Sequence, residues 1–219
     1  MAGIKKSSLV DQVYQQLKKE IITLCRPLGS RLNVSELQRE LGVSCTPIRE
    51  AMNRLQQEGL VVNENNIGVR VLSLTGHDVV EIQQLACTLH SKAIDLSMQV
   101  GDRKVMLGEL EKHLKEYEEA KVPQEEVNAV HQFIGSFYRH CGNGRLDHSM
   151  LAIQGQQLLL RHMYAHQLPK RAADLRYYQE ILEAVRRGDT EAVQTALQES
   201  TDKATEILLK IVDAESVST

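Results

Sequence analysis

Leu41-Gly42-Val43-Ser44-Cys45-Thr46-Pro47-Ile48-Arg49-Glu50-Ala51-Met52-Asn53-Arg54-Leu55, running on into Glu58-Gly59-Leu60-Val61-Val62, is the stretch that decides the fold. Gly42 ends one helix and Ser44 caps the next, with Pro47 accommodated in the first turn, where its missing amide costs nothing. Val43, Ile48, Ala51, Met52 and Leu55 then recur at helical spacing as an inward face, and Gly59 stops the helix. Upstream, the apolar residues between Leu9 and Leu24 predict a first helix, broken by Arg26-Pro27-Leu28-Gly29-Ser30. Asn33 or Ser35 can cap a second helix to Leu41. Downstream, Leu60-Val61-Val62 and Val69-Arg70-Val71 flank Asn63-Glu64-Asn65-Asn66-Ile67-Gly68, which reads as a hairpin. Residues 28–71 are therefore expected to form a winged helix-turn-helix.

Beyond residue 76 the strand signals stop. Breaks at Gly101-Asp102, Val122-Pro123, Gly142-Asn143-Gly144, Pro169 and Gly188-Asp189 predict six helices over 78–100, 103–121, 124–141, 145–167, 170–187 and 190–213. The fold class is mainly α: an N-terminal winged helix-turn-helix followed by an all-helical bundle of about six helices. Residues 1–75 and 76–219 form the two domains, with Thr75 as a cap at the junction.

At 219 residues with 42% hydrophobic content, both halves can hold a core. No apolar run approaches the roughly 20 residues needed to span a bilayer, and no signal-peptide pattern opens the chain, so a cytoplasmic protein without membrane association is expected. Cys25, Cys45, Cys87 and Cys141 stand far apart and read as free thiols. The net charge of −3 is unevenly spread: residues 1–75 carry 10 Lys or Arg against 7 Asp or Glu, leaving −6 for the remainder. That asymmetry points to one end facing a polyanion.

A helix about 10–12 Å across fits the major groove of DNA, and a preceding helix fixes its angle. On the polar face of the third helix, Ser44, Cys45, Thr46, Arg49, Asn53 and Arg54 are the candidate contacts, joined by Ser35 at the start of the second helix. Hydroxyls and a helix N-terminus suit phosphate, and Arg49 can fork onto guanine or phosphate.

Gly29-Ser30-Arg31-Leu32, Leu41-Gly42-Val43-Ser44, Thr46-Pro47-Ile48-Arg49-Glu50-Ala51, Leu55, Glu58-Gly59-Leu60-Val61 and Gly68-Val69-Arg70-Val71 resemble the DNA-binding domain of the GntR family of bacterial regulators. The helices that follow resemble the effector-binding (FCD) domain of its FadR-like branch, in the shorter VanR-like form. One departure stands out: Cys45 occupies the place where the family commonly has Arg, which puts more weight on Thr46, Arg49 and the wing residues Asn65 and Asn66.

The resemblance also implies a small-molecule site. In many FadR-like regulators an Asp and three His hold a divalent metal, but the matching positions here are Val130, Ile134, Tyr178 and Ser200, and the family's frequent Arg and Glu on the first effector helix are replaced by Ala86 and His90. No metal and no cofactor are expected, although His90, His131, His140, His162 and His166 offer a route to a rebuilt site. The effector pocket is assigned to Val130, Ile134, Arg161, His162, Tyr178 and Ser200. With the metal ligands gone, a neutral or partly apolar effector is expected.

The family implies a homodimer reading a short inverted repeat in double-stranded DNA, with repression the commoner mode and a small-molecule effector as the signal. An enzyme is not expected, because no nucleophile arrangement, phosphate-binding Gly loop or paired carboxylates appear. The alternative is a ligand-independent DNA-binding dimer whose helical domain serves assembly alone.

Overall fold

The computed structural model describes residues 8–64, 68–166 and 171–217. The chain folds as two compact units. Residues through Ser73 together with Gln154–Leu159 make the first, and Leu74–Ile153 with Leu160 onward the second.

The first unit runs α1 (Leu9–Ile22), β1 (Arg31–Leu32), α2 (Val34–Leu41), α3 (Cys45–Gln57), β2 (Val61–Glu64) and β3 (Gly68–Val71). Ser8 caps α1 in a capping box with Asp11. Asn33, rather than Ser35, caps α2: its side chain accepts the Ser35 N–H at 2.9 Å. Gly42 closes α2 at φ 65°, a left-handed turn that glycine adopts without penalty. Leu17, Ile21, Leu37, Ile48, Leu55 and Leu60 form the interior. The expected hairpin is present as β2 against β3, with Val62 opposite Arg70 and Glu64 opposite Gly68. The sequence reading lacked β1, which pairs antiparallel with β3 through Arg31–Arg70 and Leu32–Val69, giving the sheet order β1-β3-β2.

The second unit is helical: α4 (Gly76–Val100), α5 (Arg103–Glu119), α6 (Pro123–His140), α7 (Gly144–Leu151), α8 (Gln154–Ala165, of which Gln154–Leu159 is counted with the first unit), α9 (Arg171–Arg187) and α10 (Thr190–Val217). Thr75 caps α4, again in a capping box, with Asp78. Five of the expected helices correspond to one observed helix each. The expected 145–167 helix is two, α7 and α8, separated at Ala152–Ile153, where the Ile153 N–H falls back on the Met150 carbonyl. No proline or glycine stands at that break, and Gly155 just beyond it is the weakest helix former in the segment. Helix α5 packs on α6 and α9, α4 on α6 and α10, and α9 on α10. Ile94, Met106, Leu110, Phe133, Phe137, Ile181 and Val185 lie in the core between them.

Candidate nucleic-acid interface and ligand site

Helix α3 is two-faced. Pro47, Ile48, Ala51, Met52 and Leu55 are buried, whereas Ser44, Cys45, Thr46, Arg49 and Asn53 are exposed. Positions 45, 49 and 53 follow one another at a spacing of four, so they share one stripe of the helix. Ser44 stands at the N-cap but makes no side-chain capping bond, which leaves the first-turn amides without an internal side-chain acceptor. A helix start with free donors and two exposed hydroxyls is suited to a phosphate group. Ser35 is exposed on α2, one turn before the exposed Arg39.

Arg54 is set apart from this stripe. Its Nη1 lies 2.7 Å from Asp11 Oδ1, and its guanidinium sits 4.0 Å from the Tyr14 ring centroid. The same side of α1 carries a second tie to α3: Lys18 Nζ is 2.6 Å from Glu58 Oε2, and the Tyr14 hydroxyl donates to Glu58. Arg54, with Ser8, holds the Asp11 carboxyl below its ordinary range. Burial opposes the Lys18 charge, but the hydrogen bonds with Glu58 and Tyr14 outweigh it and its pKa lies above the ordinary value. Arg54 therefore serves the α1–α3 contact.

The wing-tip candidates Asn65 and Asn66 lie outside the described residues. Beside them, Arg70 is paired with Glu64 at 3.2 Å and donates to the Gly29 carbonyl at 2.9 Å. Two exposed cations escaped the sequence reading, Arg31 on β1 and Arg39 on α2. Neither stands in the recognition-helix segment, and an isolated basic residue carries no pattern of its own.

In the helical unit, α4, α6, α8 and α9 bring a polar group into an apolar bundle. His90 Nδ1 on α4 is 2.9 Å from the Tyr138 hydroxyl on α6, their rings edge to face at 5.7 Å. The Tyr178 ring on α9 stands edge-on to Tyr117 at 5.3 Å and to Phe133 at 5.4 Å. The Tyr164 hydroxyl on α8 donates to Asp174 at 2.5 Å. Among the described residues, two buried side-chain atoms have no hydrogen-bond partner, Arg161 Nη1 and His162 Nε2, although His162 is only 2% exposed.

Titration behaviour ties the cluster together. Burial, and then the Arg161 charge, pushes His131 down to about 4 and His90 well below its ordinary value. Burial raises Tyr138 and lifts Tyr178 to about 12, with Arg161 and the Ser200 hydroxyl working the other way on Tyr178. The Arg161 charge is thus felt by residues of three other helices. Of the assigned pocket residues, Arg161 and Tyr178 belong to this group, Ser200 reaches it through Tyr178, Ile134 is core, Val130 is half-buried, and His162 is coupled instead to His166. His90, His131 and Tyr138 complete it. His131, Ile134 and Tyr138 fall at helical spacing on α6, a signal the sequence offered.

A metal does not fit here. Val130 and Ile134 carry no donor atom, and among the described residues no three His, Cys, Asp or Glu side chains come together as a ligand set. His140, one of the histidines of the rebuilt-site route, lies 3.4 Å from Glu109 instead.

The model of bacterial regulatory proteins of the gntR family matches residues 9–71, and that of the FCD domain matches residues 81–202. The chain belongs to the GntR family. It carries a gntR-type domain followed by an FCD domain, and the FCD match falls within the helical part of the chain. Among curated relatives, an uncharacterized HTH-type transcriptional regulator, YdhC of Bacillus subtilis, is 39% identical over 109 residues, 50% of this chain and 48% of its own length. The chain thus spans about half of that relative. An uncharacterized HTH-type transcriptional regulator in an unstable DNA locus of Streptomyces ambofaciens is 28% identical over 85% of this chain and 79% of its own length. A putative GntR regulator from Rhodococcus sp. RHA1 and E. coli McbR/YncC share the fold, each with a TM-score of 0.77. Their identities are 24% and 22%, covering 93% and 94% of this chain and 99% of each neighbour. Among the described residues, no helix is long and apolar enough to cross a membrane.

Proposed function

We propose that this GntR regulator is a repressor that binds a short inverted repeat as a homodimer, with a small-molecule effector in its helical domain as the signal. The observation that carries the reading is the exposed stripe of α3, with Arg49 at its centre, held on the α2–Gly42–α3 frame. Two such stripes related by a two-fold axis match the symmetry of a palindromic site. Dimerisation supplies that axis. Arg49 and Asn53 supply base contacts, Ser44 and Thr46 supply phosphate contacts, and Cys45 leaves a gap where the family commonly has a guanidinium.

Effector control is supported by the polar cluster in the bundle. A domain serving assembly alone has no use for a buried guanidinium nitrogen without a partner. A ligand shifting the helical domain between two conformations would change the spacing of the two DNA-reading units.

The test is selection of genomic fragments by the purified full chain, followed by footprinting. Recovery of an inverted repeat, protected by the wild type and released by Arg49→Ala, is the expected result. Sequence-independent retention that Arg49→Ala leaves unchanged would overturn the reading.

A further inference from the structure

The first unit sorts its described arginines into two sets. Arg26 is tied to Glu20 at 2.6 Å and to Glu40 at 2.7 Å, Arg54 to Asp11, and Arg70 to Glu64 and the Gly29 carbonyl. Arg31, Arg39 and Arg49 are exposed and, among the described residues, pair with no carboxylate. Arg49 belongs to the α3 stripe. The other two stand on neighbouring elements and take no part in the ion pairs of the fold.

Arg39 leaves the partner that its own helix offers. Glu36 stands three residues earlier, at the spacing of a helical ion pair. The guanidinium instead reaches one turn back, and its Nε donates to the Ser35 carbonyl at 3.4 Å. The charge is thereby carried to the first turn of α2, at the positive end of the helix dipole, where Ser35 is exposed. In a helix-turn-helix, the helix before the recognition helix crosses the DNA backbone. Arg31 is placed at a cost. It stands directly opposite Arg70 in the β1–β3 register, and like charges so paired disfavour a sheet. Glu64 is engaged by Arg70, and the Arg31 guanidinium lies along the wing: its Nη2 and Nε are 3.7 and 3.8 Å from the place that a Cβ on Gly68 would occupy.

We propose that Arg31 and Arg39 are phosphate contacts that extend the DNA-binding surface from α3 to the wing and to α2. The inference deepens the DNA-binding part of the reading above and rests on it. With α3 in the major groove, guanidinium groups on its neighbours meet the strands that border the groove, where the sugar-phosphate backbone is presented. A phosphodiester supplies the counter-charge that the fold withholds from both side chains, and it matches the planar fork of arginine.

The experiment is fluorescence anisotropy of the full chain on two duplexes, the selected operator and one of scrambled sequence, from about 50 to 300 mM sodium chloride. Arg31→Gln and Arg39→Gln are each expected to weaken binding to both duplexes by the same factor, about 3- to 10-fold, and to make the slope of log Kd against log salt shallower by about 0.9 per bound copy. Lys104→Gln, which removes an exposed cation of α5, controls for net charge and is expected to change neither. Arg31→Lys and Arg39→Lys keep the charge and are expected to keep the slope. In thermal denaturation without DNA, Arg39→Gln should melt with the wild type, and Arg31→Gln at or above it, because the like-charge pair is relieved. An unchanged slope in either Gln variant overturns the assignment of that residue. So does weakening on the operator alone, a loss no larger than that of Lys104→Gln, a Lys variant that loses as much as the Gln variant, or a marked fall in Tm. The scrambled duplex needs no operator, so failure to select an inverted repeat leaves both contacts measurable, and unchanged slopes leave operator reading through Arg49 standing.

Discussion

The guanidinium of Arg54 lies 4.0 Å above the ring of Tyr14 while its Nη1 holds Asp11 at 2.7 Å, so a residue of α3 is turned onto α1. The arrangement divides the arginines of α3 by task. Arg49, five residues earlier in the sequence, is exposed on the stripe that carries Cys45 and Asn53. Arg54→Ala is expected to lower stability by about 0.5–1.5 kcal/mol, the scale of a partly exposed ion pair plus a cation–π contact. The slope of log Kd against log salt should be unchanged. Urea denaturation and a salt titration of operator binding check both halves of this expectation.

Arg49→Ala should behave oppositely. Loss of a base or phosphate contact by this residue is expected to cost about 1–3 kcal/mol of operator affinity, roughly 5- to 150-fold, with folding stability within about 0.5 kcal/mol of the wild type. Fluorescence anisotropy at fixed salt, on the selected operator and on a scrambled duplex, separates a base contact from a phosphate contact. A base contact relaxes discrimination between the two duplexes, whereas a phosphate contact weakens both equally.

His162 predicts the acid limb of the stability curve. Burial, reinforced by His166, brings its pKa down from 6.5 to about 4. Between these values the unfolded chain binds a proton that the folded chain refuses, so stability falls as the pH drops from about 6.5 towards 4 and levels off below. A shift of this size corresponds to about 3 kcal/mol for this 2%-exposed side chain. His131, brought to about 4 by burial and Arg161, adds in the same direction. Replacing His162 with Gln should flatten the curve in that window, measured by urea unfolding at pH 4.5, 5.5, 6.5 and 7.5.

Gly42 ends α2 at φ 65°, and a Cβ placed there meets nothing within 4 Å. The penalty of a side chain is therefore conformational and not steric. Gly42→Ala is expected to cost about 1–2 kcal/mol, and Gly42→Asn distinctly less, since Asn tolerates the left-handed region. The order of the two melting temperatures is the check.

The α2–turn–α3–wing sequence was legible because its signals are local: Asn33, Gly42, Gly59 and the two apolar runs each act within a few residues of where they stand. Thr75 announced the start of α4 for the same reason. Strand β1 was not legible, since its two residues have no periodicity and owe their pairing to Val69 and Arg70, some 40 positions away. The Arg54–Asp11 tie spans 43 positions and looks, in sequence alone, like one more polar residue on a solvent face. The helical site followed the same divide. Arg161 and Tyr178 could be nominated singly, but their meeting with His90 and Tyr138 depends on how α4, α6, α8 and α9 pack.

The short strand β1 has a consequence outside DNA reading. A two-stranded wing would leave the outer side of β3 as an open row of amides and carbonyls, a template for a strand of another molecule. By occupying that side with Arg31–Leu32, the chain moves the sheet boundary to a two-residue segment bearing a charge, too short to recruit a neighbour. The sheet is thereby protected from self-association through its own edge.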